Sequence, residues 1–164
     1  MKVFKSLPAI HATSRRDALS EAVRRYASDT ITLGWEERLS ARGRRRSDRG
    51  VEFGTSLPRG TVLRAGDCFL LEEHALVIEV VERLEPVLVV EPGEPREWGL
   101  FAYYIGNCHQ PVMITDRTMV CPDVPGMAQV LEQHGIPFSR GTKPFTPVGM
   151  FGDVYTAGHQ HVTR

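Results

Sequence analysis

The sequence predicts an α+β chain in three parts: a small antiparallel β domain over residues 1–82, a βαββαβ domain over residues 86–142, and a flexible tail over residues 143–164. Three observations carry that expectation. Between Thr30 and Glu82, short alternating apolar runs are separated by closely spaced polar turns, the pattern of hairpin-connected strands. After Pro86, apolar runs alternate with stretches of helical period. From about Lys143, glycine and proline recur and little remains to bury.

The elements follow in order. Ser14 is positioned to cap a helix, with Asp17 at its third position and Ala18, Leu19, Ala22, Val23 and Tyr26 on one face. Ile31, Leu33 and Trp35 alternate with Thr32 and Gly34, as in a half-buried strand. Turns are expected at Ser47-Asp48-Arg49-Gly50, Leu57-Pro58-Arg59-Gly60 and Arg64-Ala65-Gly66-Asp67. Val51 and Phe53 resume the alternation, and short strands fit Thr61–Leu63, Cys68–Leu71 and Leu76–Val81. Val87-Leu88-Val89-Val90 reads as a fully buried strand. Pro95 suits the first turn of a helix carrying Trp98, Phe101, Ala102 and Ile105, which Gly106 and Asn107 are suited to end. Strands near Pro111–Thr115 and Thr118–Cys121 follow. A second helix is expected from Asp123, with Met127, Val130, Leu131 and His134 on one face and Gly135 as its stop. A last strand begins near Ile136. The resulting order, β-α-β-β-α-β, is that of the ferredoxin-like fold.

Composition narrows the function. Among 164 residues, 20 are lysine or arginine and 20 aspartate or glutamate, so the basic excess of a dedicated nucleic-acid binder is missing. The N-terminal segment lacks the apolar core of a secretion signal, and no apolar run is long enough to cross a bilayer. Three cysteines, Cys68, Cys108 and Cys121, form no CxxC pair, which fits reduced thiols in the cytoplasm. No phosphate-loop motif, no GxSxG and no HExxH occurs.

The candidate metal ligands are histidines. His109 lies just past the Gly-Asn end of the first long helix, displayed on a turn. One imidazole is too few for a closed site, but a two-fold dimer supplies the same residue twice. The competing reading is a histidine placed at the carbonyl end of a helix for its charged form. His159 and His161, an HxH in the tail, form the second candidate; imidazole suits nickel, zinc and copper. Cys108 either adds a thiolate beside His109 or fills a small apolar gap. Cys68 and Cys121 read as core. His134 ends an apolar helical face and reads as structural. Arg42, Arg44, Arg45, Arg46 and Arg49 form a basic run, of which Arg42, Arg44, Arg45 and Arg46 are the candidate partner-binding residues. Read as a strand, Arg38, Ser40, Arg42, Arg44 and Arg46 share one face. That face is a protein contact, a solvated edge or an RNA surface, and the aromatics that stack on single-stranded nucleic acid are sparse around it.

Three blocks resemble the UreE family of urease accessory proteins. Leu57-Pro58-Arg59-Gly60-Thr61-Val62-Leu63-Arg64-Ala65-Gly66-Asp67 is similar to the family's "LPRG…LR.GD", and Ala102-Tyr103-Tyr104-Ile105-Gly106-Asn107-Cys108-His109-Gln110-Pro111-Val112 to its "AYHLGNRHxPV". Pro144-Phe145-Thr146-Pro147-Val148-Gly149-Met150-Phe151-Gly152 is similar to "PFEPEGGAYG", and a histidine-bearing tail follows it. The blocks lie in the family's order between roughly residues 30 and 161. The resemblance implies a cytosolic homodimer, without enzymatic turnover, whose N-terminal β domain binds protein partners. It implies a ferredoxin-like C-terminal domain that places nickel on His109 at the dimer interface. It also implies that His159 and His161 add ligands, and that nickel passes to the urease apoprotein with an accessory GTPase. The chain departs from the pattern at Cys108, where arginine is common. It has no histidine in Cys121–Pro125, and two tail histidines rather than a polyhistidine run. The first thirty residues match less well. The alternatives are a basic RNA-binding module using Arg44, Arg45 and Arg46, and a thiol enzyme using Cys108 with His109.

Overall fold

The structure, a computed structural model, describes residues 8–148. Among those residues eleven strands and four α-helices make a mixed α+β chain. It divides into two compact units, one running to Glu85 and one starting at Pro86.

The first unit contains β1 (Ala9–Ile10), β2 (Ser14–Arg15), α1 (Glu21–Arg24), β3 (Ala27–Leu33), α2 (Trp35–Leu39), β4 (Arg42–Arg46), β5 (Glu52–Ser56), β6 (Asp67–Leu71) and β7 (Leu76–Glu82). Two sheets form, ordered β1-β5-β4 and β2-β6-β7-β3. Their facing side chains make one core of Ile10, Ile31, Leu33, Phe53, Phe69, Ile78 and Val80. Phe53 and Phe69 meet across it, with ring centroids 5.3 Å apart. The sheets are not purely antiparallel as expected. β1 runs parallel to β5, and β3 parallel to β7. Tight turns such as Ser47–Gly50, where Gly50 takes φ 92°, advertise hairpins. Nothing local announces that β3 pairs with a strand more than forty residues away.

Tertiary contacts also redraw residues 8–35. Ser14 does not cap a helix; it opens β2 and pairs with Cys68. The Arg15 guanidinium holds that pairing, reaching Asp67 at 3.2 Å and the Ala65 carbonyl at 2.8 Å. The helix shrinks to α1, capped by Ser20, whose Oγ accepts the Val23 N–H at 3.4 Å. Trp35 leaves the strand and starts α2, because the Glu37 carboxylate accepts the Gly34 N–H at 2.9 Å and caps a new helix. Thr61–Leu63 is not a strand. Leu63 instead donates its N–H to the Arg38 carbonyl at 3.0 Å and is fully buried.

β3 is an edge strand, and Asp48 closes its edge. The Asp48 carboxylate accepts the Thr30 hydroxyl at 2.6 Å, the Thr32 hydroxyl at 2.9 Å and the Thr32 N–H at 3.1 Å. These bonds, the Thr30 hydroxyl foremost, hold the carboxyl below its usual range. A depressed folded value stabilises the fold above the unfolded value of about 3.9 and loses that contribution as pH falls through the folded value. Asp48→Asn is therefore expected to flatten the acid limb of a urea-midpoint-against-pH curve. Wild-type and variant curves running parallel below pH of about 4 would contradict this.

The second unit carries β8 (Leu84–Val90, entering from the first unit), α3 (Pro95–Asn107), β9 (Met113–Ile114), β10 (Met119–Pro122), α4 (Met127–Gln133) and β11 (Ser139–Pro144). The sheet order is β11-β8-β10-β9. Val87 to Val90 are all buried, and Leu88 pairs with Cys121 and Val90 with Met119 across β8 and β10. The helices cover one sheet face, adding Phe101, Ile105, Met127 and Leu131 to the core. α4 begins at Met127, after Gly126 with φ 88°, and not at Asp123. The Asp123 carboxylate is taken by Arg140 of β11, so it is not available as a cap. β11 starts three residues later than expected, past Pro137, which has no N–H for a ladder. Phe145 is 1% exposed, so the expectation that little is buried from Lys143 onward fails at that residue.

Candidate metal centre

α3 delivers His109. Pro95 occupies its first turn, and Glu97 Oε2 accepts the Gly93 N–H at 2.6 Å, securing the start. Phe101 and Ile105 pin the helix to the sheet. Its end differs from expectation. Gly106 and Asn107 both remain helical, and His109 itself takes the left-handed conformation, with φ 54°. The last turn tightens through Cys108 N–H to the Ile105 carbonyl at 3.1 Å and His109 N–H to the Gly106 carbonyl at 2.9 Å. Histidine is one of the few side chains that tolerate this conformation. His109 is exposed, fixed by its backbone, just before Pro111.

Cys108 faces elsewhere. Its thiol donates to the Tyr104 carbonyl at 3.3 Å. It lines a cavity of about 210 Å³ with Gln110, Val124, Pro125, Gly126, Met127 and Val130, and it packs against the core. The two neighbours thus serve different surroundings, because the chain turns into the left-handed conformation at His109. Cys68 and Cys121 are buried, and burial pushes the Cys121 thiol up to about 12. His134 stacks on Tyr104 with centroids 3.8 Å apart and planes 20° from parallel, a structural role. His159 and His161 lie outside the described residues. Among the described residues no three histidine, cysteine, aspartate or glutamate side chains converge as metal ligands.

α3 carries a second face that its apolar period does not announce. Leu100 and Tyr103 are 41% and 62% exposed, and with Asn107 they form a second helical stripe at three- and four-residue spacing. A side chain added at Gly99 or Gly106 would meet only open space. That stripe was present in the spacing, but the core-facing residues masked it.

The arginine run also separates. Arg38 does not share the strand face. It lies in α2, 1% exposed, paired with Glu82 at 3.0 Å. Arg42, Arg44 and Arg46 alternate along β4 and are exposed. Arg45 points the other way, donating to the Ser40 and Glu37 carbonyls, the latter at 3.1 Å.

The chain matches two family models end to end. Residues 5–82 match the UreE urease accessory protein N-terminal domain, and residues 85–164 its C-terminal domain. The chain belongs to the UreE urease accessory protein family. A urease accessory protein UreE of Rhodobacter capsulatus is 38% identical over 136 residues, covering 82% of this chain and 84% of that protein. Those of Burkholderia ambifaria and Burkholderia vietnamiensis are each 35% identical over 132 residues and 80% of this chain. The chain spans 63% and 64% of the length of these two relatives. For this UreE-family chain, no helix among the described residues is long and apolar enough to cross a membrane.

Proposed function

We propose that this protein is a cytoplasmic nickel carrier, without turnover, that works as a homodimer and donates nickel during assembly of the urease metallocentre. The observation that carries the reading is His109, an exposed imidazole held at the left-handed end of α3. Leu100 and Tyr103, exposed on the same helix, supply apolar surface for a second copy. A two-fold axis there brings two His109 imidazoles together. Two imidazoles leave coordination positions open, so the metal exchanges rather than being locked in a closed site. His159 and His161 fill open positions, and Cys108 stays a packing residue. Nickel is cargo; zinc and copper compete for the same imidazoles in vitro.

In this reading residues 86–142 are a ferredoxin-like metal-binding domain, supported by a sheet order in which the last and third strands flank the first. Residues 1–82 are a protein-binding domain, and residues 143–164 a His-bearing flexible tail. The partners are the urease apoprotein and its accessory GTPase. Neither nucleic acid nor a membrane is a partner. The exposed arginines of β4 serve as a protein contact, without Arg45, whose guanidinium is occupied.

The test is a calorimetric nickel titration with a parallel solution mass. One tight nickel per two chains is expected, with a mass of twice the chain. A monomer holding one tight nickel per chain would overturn the proposal.

A further inference from the structure

The two sheets of the first unit treat their edges differently. The edge of β3 is closed by the Asp48 carboxylate on Thr30 and Thr32. Among the described residues the edge of β4 has no such cover. Among the described residues β4 pairs only with β5, in antiparallel register from Arg42 opposite Ser56 to Arg46 opposite Glu52. Just outside this register, Leu57 donates to the Ala41 carbonyl and Ser47 to the Val51 carbonyl, both at 2.9 Å. Backbone direction alternates in an antiparallel pair. Ala41, Gly43, Arg45 and Ser47 therefore face β5, and Arg42, Arg44 and Arg46 turn their N–H and C=O groups outward. The Arg42 carbonyl takes the Ser40 hydroxyl at 3.0 Å. Among the described residues, the backbone groups of Arg44 and Arg46 take no partner.

The three residues whose backbone faces outward also carry exposed guanidinium groups, all on one side of the pleat. Arg45, on the other side, is tied to Glu37 and Ser40. Beyond Arg42 the edge opens into a cavity of about 570 Å³ lined by Ser40, Ala41, Arg42 and the exposed Arg59. Three like charges repel a second copy of the same strand, which is how charged edges prevent self-pairing. They do not repel an acidic strand. A segment pairing with β4 sets its own alternate side chains about 5 Å from Arg42, Arg44 and Arg46. Carboxylates there match both the backbone and the charge.

We infer that the open edge of β4 is a docking site for an extended acidic segment of a partner protein, with Asp or Glu at alternate positions, added as a fourth strand to the β1-β5-β4 sheet. This rests on reading the β4 arginines as a protein contact, and is independent of nickel. Backbone bonds supply affinity in such strand addition, and alternate side chains supply selectivity.

The probe is a fluorescein-labelled peptide, acetyl-Thr-Glu-Thr-Glu-Thr-Glu-Thr-amide, titrated by anisotropy against the full chain. Binding is expected to weaken roughly tenfold as salt rises from about 50 to about 300 mM. Arg44→Glu is expected to abolish it. The same peptide N-methylated at its glutamates keeps its charge and loses its backbone donors, so it is expected to bind at least about tenfold more weakly. The amides of Arg44 and Arg46 are expected to exchange more slowly with solvent in the complex. Equal binding of the N-methylated peptide, or unchanged exchange at both amides, would overturn strand addition. Binding of poly(U) RNA without the peptide would overturn the partner class. Binding of neither probe would mean a solvated edge. His109→Asn leaves peptide binding unchanged, so the docking and nickel readings fail separately.

Discussion

His109→Asn is expected to lower the tightest nickel affinity by at least about 100-fold, because groups that merely orient a ligand already cost roughly 10–100-fold when removed. Asparagine is the informative replacement. His109 sits at φ 54°, which asparagine enters readily, whereas a residue such as alanine incurs about 1–2 kcal/mol there. Asn and Ala should therefore lose nickel equally, with Ala alone lowering the melting temperature. Should the Asn variant keep wild-type stoichiometry and affinity, His109 is not the ligand. Should nickel follow the melting temperature instead, the residue acts by shaping the turn.

The largest effect on stability is expected at Arg38. Its side chain is 1% exposed, and its guanidinium donates to Glu82 at 3.0 Å and to the Leu63 carbonyl at 3.4 Å. The same Glu82 oxygen accepts the Ala65 N–H at 3.2 Å, so one ion pair ties α2, β7 and the Arg64–Asp67 turn. Glu82→Ala leaves the buried cation without its counter-ion, and breaking a buried pair this way costs roughly 3–5 kcal/mol. Glu82 is 20% exposed, which places the cost near the lower end. Arg38→Met removes the charge and keeps an apolar stem, so the double variant should recover much of the loss. Urea unfolding followed by Trp35 fluorescence in a Trp98→Phe background reads this directly. A Glu82→Ala midpoint equal to that of wild type would refute it.

Such a pair was not legible in the residue order. In the residue order Arg38 alternates in phase with Arg42, Arg44 and Arg46, which reads as one strand face. Glu37 decides otherwise, by capping α2 and turning Arg38 inward toward Glu82, 44 residues further along the chain. The same division appears at the metal centre. A helix ending next to a displayed histidine was readable from Pro95, the apolar period and the Gly-Asn pair. Which residue adopts the left-handed turn was not, because Gly106, Asn107 and His109 all tolerate it, and the packing of Phe101 and Ile105 sets how far the helix runs.

By itself the sequence determined the features whose physical cause is local. These are the α+β character, the turns at Gly50 and Gly66, the strand-helix order from Val87, and the three blocks that match the UreE family. Tertiary structure alone decided which strands pair and in which direction, because a parallel partner for β3 depends on contacts that sequence distance hides. It also decided which arginines are buried, tethered or exposed, because a guanidinium takes whatever carboxylate or carbonyl folding brings within reach.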